Sequence, residues 1–240
     1  MTNGAGPDIV ADFRSGFELL KRYPVMVAPP LIAMVVVFVL LFLLGGGVGA
    51  MFMVGGMTAG APGMAGAMLG GLLFGLVFFA LAMLINLISH AVVVVMARDA
   101  LAGREPSIGD AYGAVMGRLG DVVVASVLLA VLVGVASLFF VIPGLIVGFF
   151  LMFTLPAVVL DRLPAVDGLK RSANLVKENI GPCVGLVIGA IVAAVVVAIV
   201  SVILHVVPLL GRLASALLGG AFVAYLTIVG VRVYQTLPRR

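Results

Sequence analysis

Polar residues come in short bursts along this chain, and long apolar runs separate them. Six runs carry no charge in their cores: residues 24–44, 72–97, 122–141, 145–160, 183–204 and 213–233. Crossing ~30 Å of hydrocarbon takes ~20 residues of α-helix, so these runs predict six transmembrane helices. The runs are solid, whereas a membrane β-barrel would show alternation in ~10-residue segments. Runs three and four predict a tight helical hairpin broken at Ile142-Pro143-Gly144.

The bursts set the orientation. Arg14, Lys21 and Arg22 precede the first run. Arg98, Arg104 and Arg118 lie between the second and third, and Arg162, Lys170, Arg171 and Lys177 between the fourth and fifth. Arg232, Arg239 and Arg240 close the chain, and Arg212 alone falls on the other side. The acids, from Asp8 to Glu178, segregate with the majority. An excess of Lys and Arg marks the cytoplasmic side, so both termini and both charged loops are expected in the cytoplasm of a cell whose inner membrane the chain crosses.

The bursts are themselves patterned. Val166, Leu169, Ala173, Val176 and Ile180 fall on one stripe of a helical wheel, with Lys170 and Lys177 beside it and Arg171 and Glu178 opposite. Lysines bordering an apolar stripe predict a helix lying in the headgroup region, its cations reaching out to water. Before run one, Ile9, Phe13, Phe17 and Leu20 share a face. Arg14, Glu18 and Arg22 step along the other at four-residue intervals. Before run three, Ser107 and Asp110 match a capping pattern, and Ile108, Tyr112, Val115 and Leu119 share a face. The prediction is all-α: one integral membrane domain over residues 1–240, a polytopic six-helix transmembrane bundle with three amphipathic interface helices on the cytoplasmic side. It divides into units of about 8–97, 106–160 and 165–236, each an interface helix plus a hairpin. The competing reading is that any short polar linker looks amphipathic.

Glycines four apart, Gly66/Gly70, Gly71/Gly75, Gly144/Gly148 and Gly181/Gly185/Gly189, are expected to let helices approach closely within the bundle.

Composition agrees with lipid as the solvent. The chain is 64% hydrophobic and 10% charged, against about 45–50% and about 25% in soluble domains. The net charge of +4 reads as loop cations of a membrane protein rather than a nucleic-acid surface. A charged segment precedes the first long run, so no cleavable signal peptide is expected. The single cysteine, Cys183, allows no intrachain disulfide and no cysteine metal cluster.

Candidate chemistry is sparse. A charge at bilayer centre costs about 2.5–3.5 kcal/mol, so its absence from the span cores argues against proton pumps and carboxylate-coupled transporters. Asn86, Ser89 and His90 lie on one side of the second run and form the best intramembrane polar cluster. They predict either a binding site or interhelical hydrogen bonds. His205 falls at the opposite membrane face, so no metal site or catalytic pair is expected, and no cofactor. Met51, Met53, Met57, Met64 and Met68 sit in a glycine-rich outer segment read as a flexible or membrane-hugging loop rather than a Cu(I) site.

The run FFVIPGLIVGFFLMFTLPAVVLD followed by AVDGLKRSANLVKENIG resembles a widespread group of prokaryotic multi-pass proteins. That group includes the membrane domain attached to some bacterial glycerophosphodiester phosphodiesterases. The features shared are Pro143-Gly144, Pro156, Gly168-Leu169, Arg171-Ser172 and Gly181, over about residues 139–189. The resemblance implies a membrane location and a six-helix fold. It implies no phosphodiesterase activity, because the catalytic domain is not in this chain. The expected function is a non-enzymatic envelope component that contacts membrane lipids, a partner protein or a second copy, and no nucleic acid. Its contacts would be Arg14, Lys21, Arg22, Arg104, Arg118, Lys170, Arg171 and Lys177. A transporter or channel for a small neutral or lipid-like solute is the alternative, and a membrane-embedded enzyme comes third.

Overall fold

The computed structural model describes residues 8–46, 60–139, 141–204, 206 and 208–238. Met51, Met53, Met57 and His205 lie outside them. Among the described residues the fold is all-helical, with no strand. Six segments are long and apolar enough to cross a membrane: Pro24–Leu44, Ala65–Leu101, Leu119–Ser137, Ile142–Leu160, Ile180–Leu204 and Gly211–Thr236. This is the arrangement of a multi-pass membrane protein. On the fifth span Ile188 and Val192 are 57% and 59% exposed, side chains that hydrocarbon solvates and water would not.

The chain opens with α1 (Ile9–Arg22), whose N-terminus the Asp8 carboxylate caps by accepting from the N–H groups of Val10 and Ala11. A 3-10 turn at Pro24–Val27 leads into α2 (Ala28–Leu40) and a π turn at Leu41–Gly45. Next comes α3 (Gly60–Leu101), 42 residues and about 63 Å long. The glycine-rich stretch expected as a loop is therefore helical from Gly60 onward. Glycine's cost of about 1 kcal/mol is outweighed where no polar residue offers the backbone another partner. At its other end α3 stops in a Schellman turn: Arg104 N–H bonds Asp99 C=O and Gly103 N–H bonds Ala100 C=O. Gly103 sits at φ +75°, where a side chain would be strained.

After α4 (Ile108–Met116), capped by Ser107 as its pattern predicts, come α5 (Leu119–Phe139) and α6 (Val141–Phe150). Ile142, Pro143 and Gly144 belong to α6, so they are helix rather than the break itself. Pro143 occupies the first turn, where a missing N–H leaves no gap. The remaining helices are α7 (Thr154–Leu160), α8 (Ala165–Glu178), α9 (Ile180–Leu204) and α10 (Pro208–Thr236).

The packed core lies at one end. Ala91 to Ala97 on α3 are buried without interruption, so this helix is surrounded on all sides, by α2, α4, α5, α7 and α10. The four charged segments meet around it. Arg232 of α10 reaches Asp12 of α1, Tyr234 reaches Asp161, and Arg118 reaches the carbonyl groups of Val158 and Leu163.

The helices before the odd-numbered spans dock on protein. Ile9 and Phe13 of α1 lie over Gly185 and Gly189 of α9, where an added Cβ would stand 3.1 and 2.5 Å from them. The four-residue glycine spacing here thus receives side chains of α1. Gly144 receives Ser137 of α5, whereas Gly66, Gly71, Gly75, Gly148 and Gly181 have open space beside them. The docked faces overlap the expected stripes in part: Ile9, Phe13 and Leu20 of α1 and Leu169 and Val176 of α8 pack on protein, and small and polar residues join them. On α8 the buried residues are Ala165, Gly168, Leu169, Ser172, Leu175 and Val176, while Val166 and Ile180 are exposed. On α1 they are Asp12 and Gly16, with Phe17 exposed. Small and polar residues permit close approach and hydrogen bonding, and a wheel that scores apolarity passes over them.

Candidate functional site

The fourth span is broken, and its break is where the charged end is built. Pro156 has no N–H to give the carbonyl of Met152, and its ring disfavours a regular helix before it. The chain turns at residues 151–153 between α6 and α7. Thr154 N–H bonds Leu151 C=O instead of Phe150 C=O, and the Thr154 hydroxyl also donates to Leu151 C=O, at 2.7 Å. Phe150 C=O and Phe153 N–H are among the backbone groups that the break leaves without a helical partner. Ser172 of α8 satisfies both: its hydroxyl donates to Phe150 C=O at 2.9 Å and accepts from Phe153 N–H at 3.0 Å. Ser172 is fully buried. Gly168, one turn earlier on α8, has no room for a Cβ because Val158 of α7 lies against it. Pro156, Gly168 and Ser172 thus form one joint that fixes α8 to the broken span.

The other end of α7 is held by charge. The Arg118 guanidinium donates to Val158 C=O at 3.0 Å and to Leu163 C=O at 3.4 Å, and pairs with Asp121 at 2.9 Å. A cation at a helix C-terminus meets the unpaired carbonyl groups and the negative end of the dipole. The Tyr234 hydroxyl, from α10, donates to Asp161 at 2.6 Å, and its ring packs on Phe153 at 5.6 Å between centroids. Asn179, between α8 and α9, donates to Leu175 C=O and to Pro238 C=O.

A cavity of about 230 Å³ lies beside the break. Met152, Phe153, Pro156, Leu226 and Thr227 line it with His90. The structure separates the expected polar cluster. His90 opens to the cavity, Ser89 is buried, and Asn86 is exposed and donates to Ala82 C=O of its own helix at 2.9 Å. Among the described residues no group of three or more His, Cys, Asp or Glu is placed to hold a metal. Cys183 is buried.

The expected contact cations divide into two sets. Arg14, Lys21, Arg22, Arg104, Lys170 and Lys177 are exposed, with Lys21 also above the Phe17 ring at 4.5 Å. Arg104 pairs with Asp99, and Arg171 is half-buried. Arg118 is turned into protein. Sequence reasoning missed the partners of Asp12, Tyr234 and Asn179. The one local signal was a carboxylate, Asp12, set beside the apolar face of α1.

No curated protein and no solved structure matches this chain. Residues 108–237 match a family described as a domain of unknown function, DUF7847. The match brings no link to the glycerophosphodiester phosphodiesterase membrane domain. It runs from the start of α4 to the end of α10, so Pro156, Gly168, Ser172, Arg232 and Tyr234 lie inside it and α1 lies outside. It covers more than half of the chain, and the chain belongs to that family.

Proposed function

We propose that this member of the DUF7847 family is a non-enzymatic protein of the cytoplasmic membrane, acting on the envelope through lipids or a partner protein, with both termini inside. In this reading α1, α4 and α8 are amphipathic interface helices that form a collar at headgroup level. One observation carries it: exposed cations ring the packed end of the bundle, on helices that are fixed to the spans. Lys170 keeps 72% of its side-chain surface, yet α8 beneath it is held by Gly168 and Ser172. A basic residue near an anionic membrane surface contributes about 1 kcal/mol, and a rigid carrier lowers the ordering cost of using it.

The test is lipid retention. The full chain and the variant Lys170→Gln/Arg171→Gln/Lys177→Gln are released from nanodiscs containing anionic lipid and weighed by native mass spectrometry. The variant is expected to keep clearly less anionic lipid; equal retention overturns the collar. Labelling of tags at the two ends from inside and outside the cell tests the orientation, which fails if they label from different compartments.

A second reading, passage of a small neutral or lipid-like solute, is favoured by the cavity beside His90. Thr227→Phe would fill that cavity and is expected to stop any uptake measured in proteoliposomes.

A further inference from the structure

A second cleft, about 450 Å³, opens at the charged end between α1, the end of α3 and the end of α10. Ser15, Glu18, Leu19 and Arg22 line it from one face of α1, Leu101 from α3 and Arg232 from α10. Arg232 is held in place: its Nε donates to Asp12 Oδ1 at 2.6 Å, and Asp12 keeps only 6% of its side-chain surface. That bond uses Nε alone, and among the described residues Nη1 and Nη2 have no acceptor. Glu18 and Arg22 stand one turn apart and make no ion pair among the described residues. Two guanidinium groups and a carboxylate therefore border one cleft with hydrogen-bonding capacity unused.

The mixed lining decides the ligand class. A simple anion would meet Glu18, and a simple cation would meet Arg22 and Arg232. A molecule that carries a phosphodiester and an ammonium group satisfies both. The guanidinium forks match phosphate oxygens, and the carboxylate accepts from the ammonium. Leu19 and Leu101 leave an apolar edge for the start of a glycerol backbone. We propose that this cleft binds the zwitterionic headgroup of an aminophospholipid of the phosphoethanolamine type. A membrane source fits better than a soluble one, because the cleft adjoins the last turns of two spans. The proposal rests on the lipid-binding reading above and shares Arg22 with it, while Glu18 and Arg232 belong to the cleft alone.

The test uses the full chain carrying Lys170→Gln/Arg171→Gln/Lys177→Gln, so that binding at the α8 cations does not obscure the result. Delipidated protein in detergent receives equal amounts of phosphatidylethanolamine and phosphatidylglycerol, and retained lipid is counted by native mass spectrometry. About tenfold preference for phosphatidylethanolamine is expected, the scale of one charge-assisted hydrogen bond. Glu18→Gln should abolish the preference, and Arg22→Gln should lower retention of both lipids. Both variants leave the Asp12–Arg232 pair intact. Equal retention of the two lipids, or a preference unchanged in Glu18→Gln, overturns the proposal. Displacement of the lipid by an equimolar amount of soluble phosphoethanolamine overturns the membrane source. Loss of preference here with an intact collar effect above sinks the cleft alone, and the reverse sinks the collar alone.

Discussion

Asp12 and Arg232 stand 220 residues apart in the chain, and 2.6 Å separates Oδ1 of one from Nε of the other. The pair joins the first helix to the last span. It is asymmetric: the Asp12 side chain is 6% exposed and the Arg232 side chain 33%. Among the described residues the second oxygen, Oδ2, is buried with no hydrogen-bond partner. A carboxylate so desolvated depends on the cation it pairs with. Arg232→Gln is expected to destabilise the protein by about 2 kcal/mol, below the ~3–5 kcal/mol of a fully buried pair because solvent reaches the guanidinium. Asp12→Asn together with Arg232→Gln should recover part of the loss. Thermal unfolding in detergent measures the cycle, and strictly additive losses would show that the two groups are not coupled.

Ser172 predicts a second coupling. Ser172→Ala leaves Phe150 C=O and Phe153 N–H without partners inside the core, a cost of about 1–3 kcal/mol. Pro156→Ala restores an N–H and lets the fourth span straighten across residues 151–153. Adding Pro156→Ala to Ser172→Ala should therefore restore part of the protection of these amides in hydrogen exchange. No restoration would mean that the break is imposed by something other than the proline.

Glycines that look alike in the sequence should behave oppositely. A Cβ at Gly168 runs into Val158, which is fully buried. Gly168→Ala should cost about 1–3 kcal/mol and loosen α8. Gly181 has nothing within 4 Å, and it lies in the first turn of α9. Gly181→Ala should be neutral or stabilise by up to about 1 kcal/mol. Melting temperatures of the two variants in one detergent decide the matter: equal shifts would contradict the packing.

The six spans were legible because apolar runs report their solvent locally. Their outer limits were less so: residues 60–71 read as a loop from their glycines and are helix, since nothing polar in the stretch competes for the backbone. The helices before the odd-numbered spans were legible as helices, and their docked faces in part. The hydrophobic wheel finds Ile9, Phe13, Leu169 and Val176, which pack on protein, but it adds the exposed Val166 and Ile180 and omits Gly168 and Ser172, one chosen for its lack of bulk and one for its hydroxyl. Asn86, Ser89 and His90 share a side at the spacing of a helix, yet their partners differ, and partners are not encoded in spacing. The Asp12–Arg232 pair exists only once both ends of the chain have folded.

Arg118 and Lys170 give the sharpest separation between holding the fold and the lipid contact we propose. Both were expected as surface contacts. Arg118 is 23% exposed and bonds Val158 C=O and Leu163 C=O, while Lys170 is 72% exposed and stands 3.9 Å from Asp167. Arg118→Gln strips the end of α7 of its charged cap and should lower stability by about 1–2 kcal/mol with anionic-lipid retention unchanged. Lys170→Gln removes an exposed pair that contributes little to stability, so its melting temperature should hold. Its anionic-lipid retention should fall, by the ~1 kcal/mol of one cation at a membrane surface. Both quantities come from the same purified samples. If Arg118→Gln lowered lipid retention without lowering stability, its contacts with α7 would not be what fixes that residue.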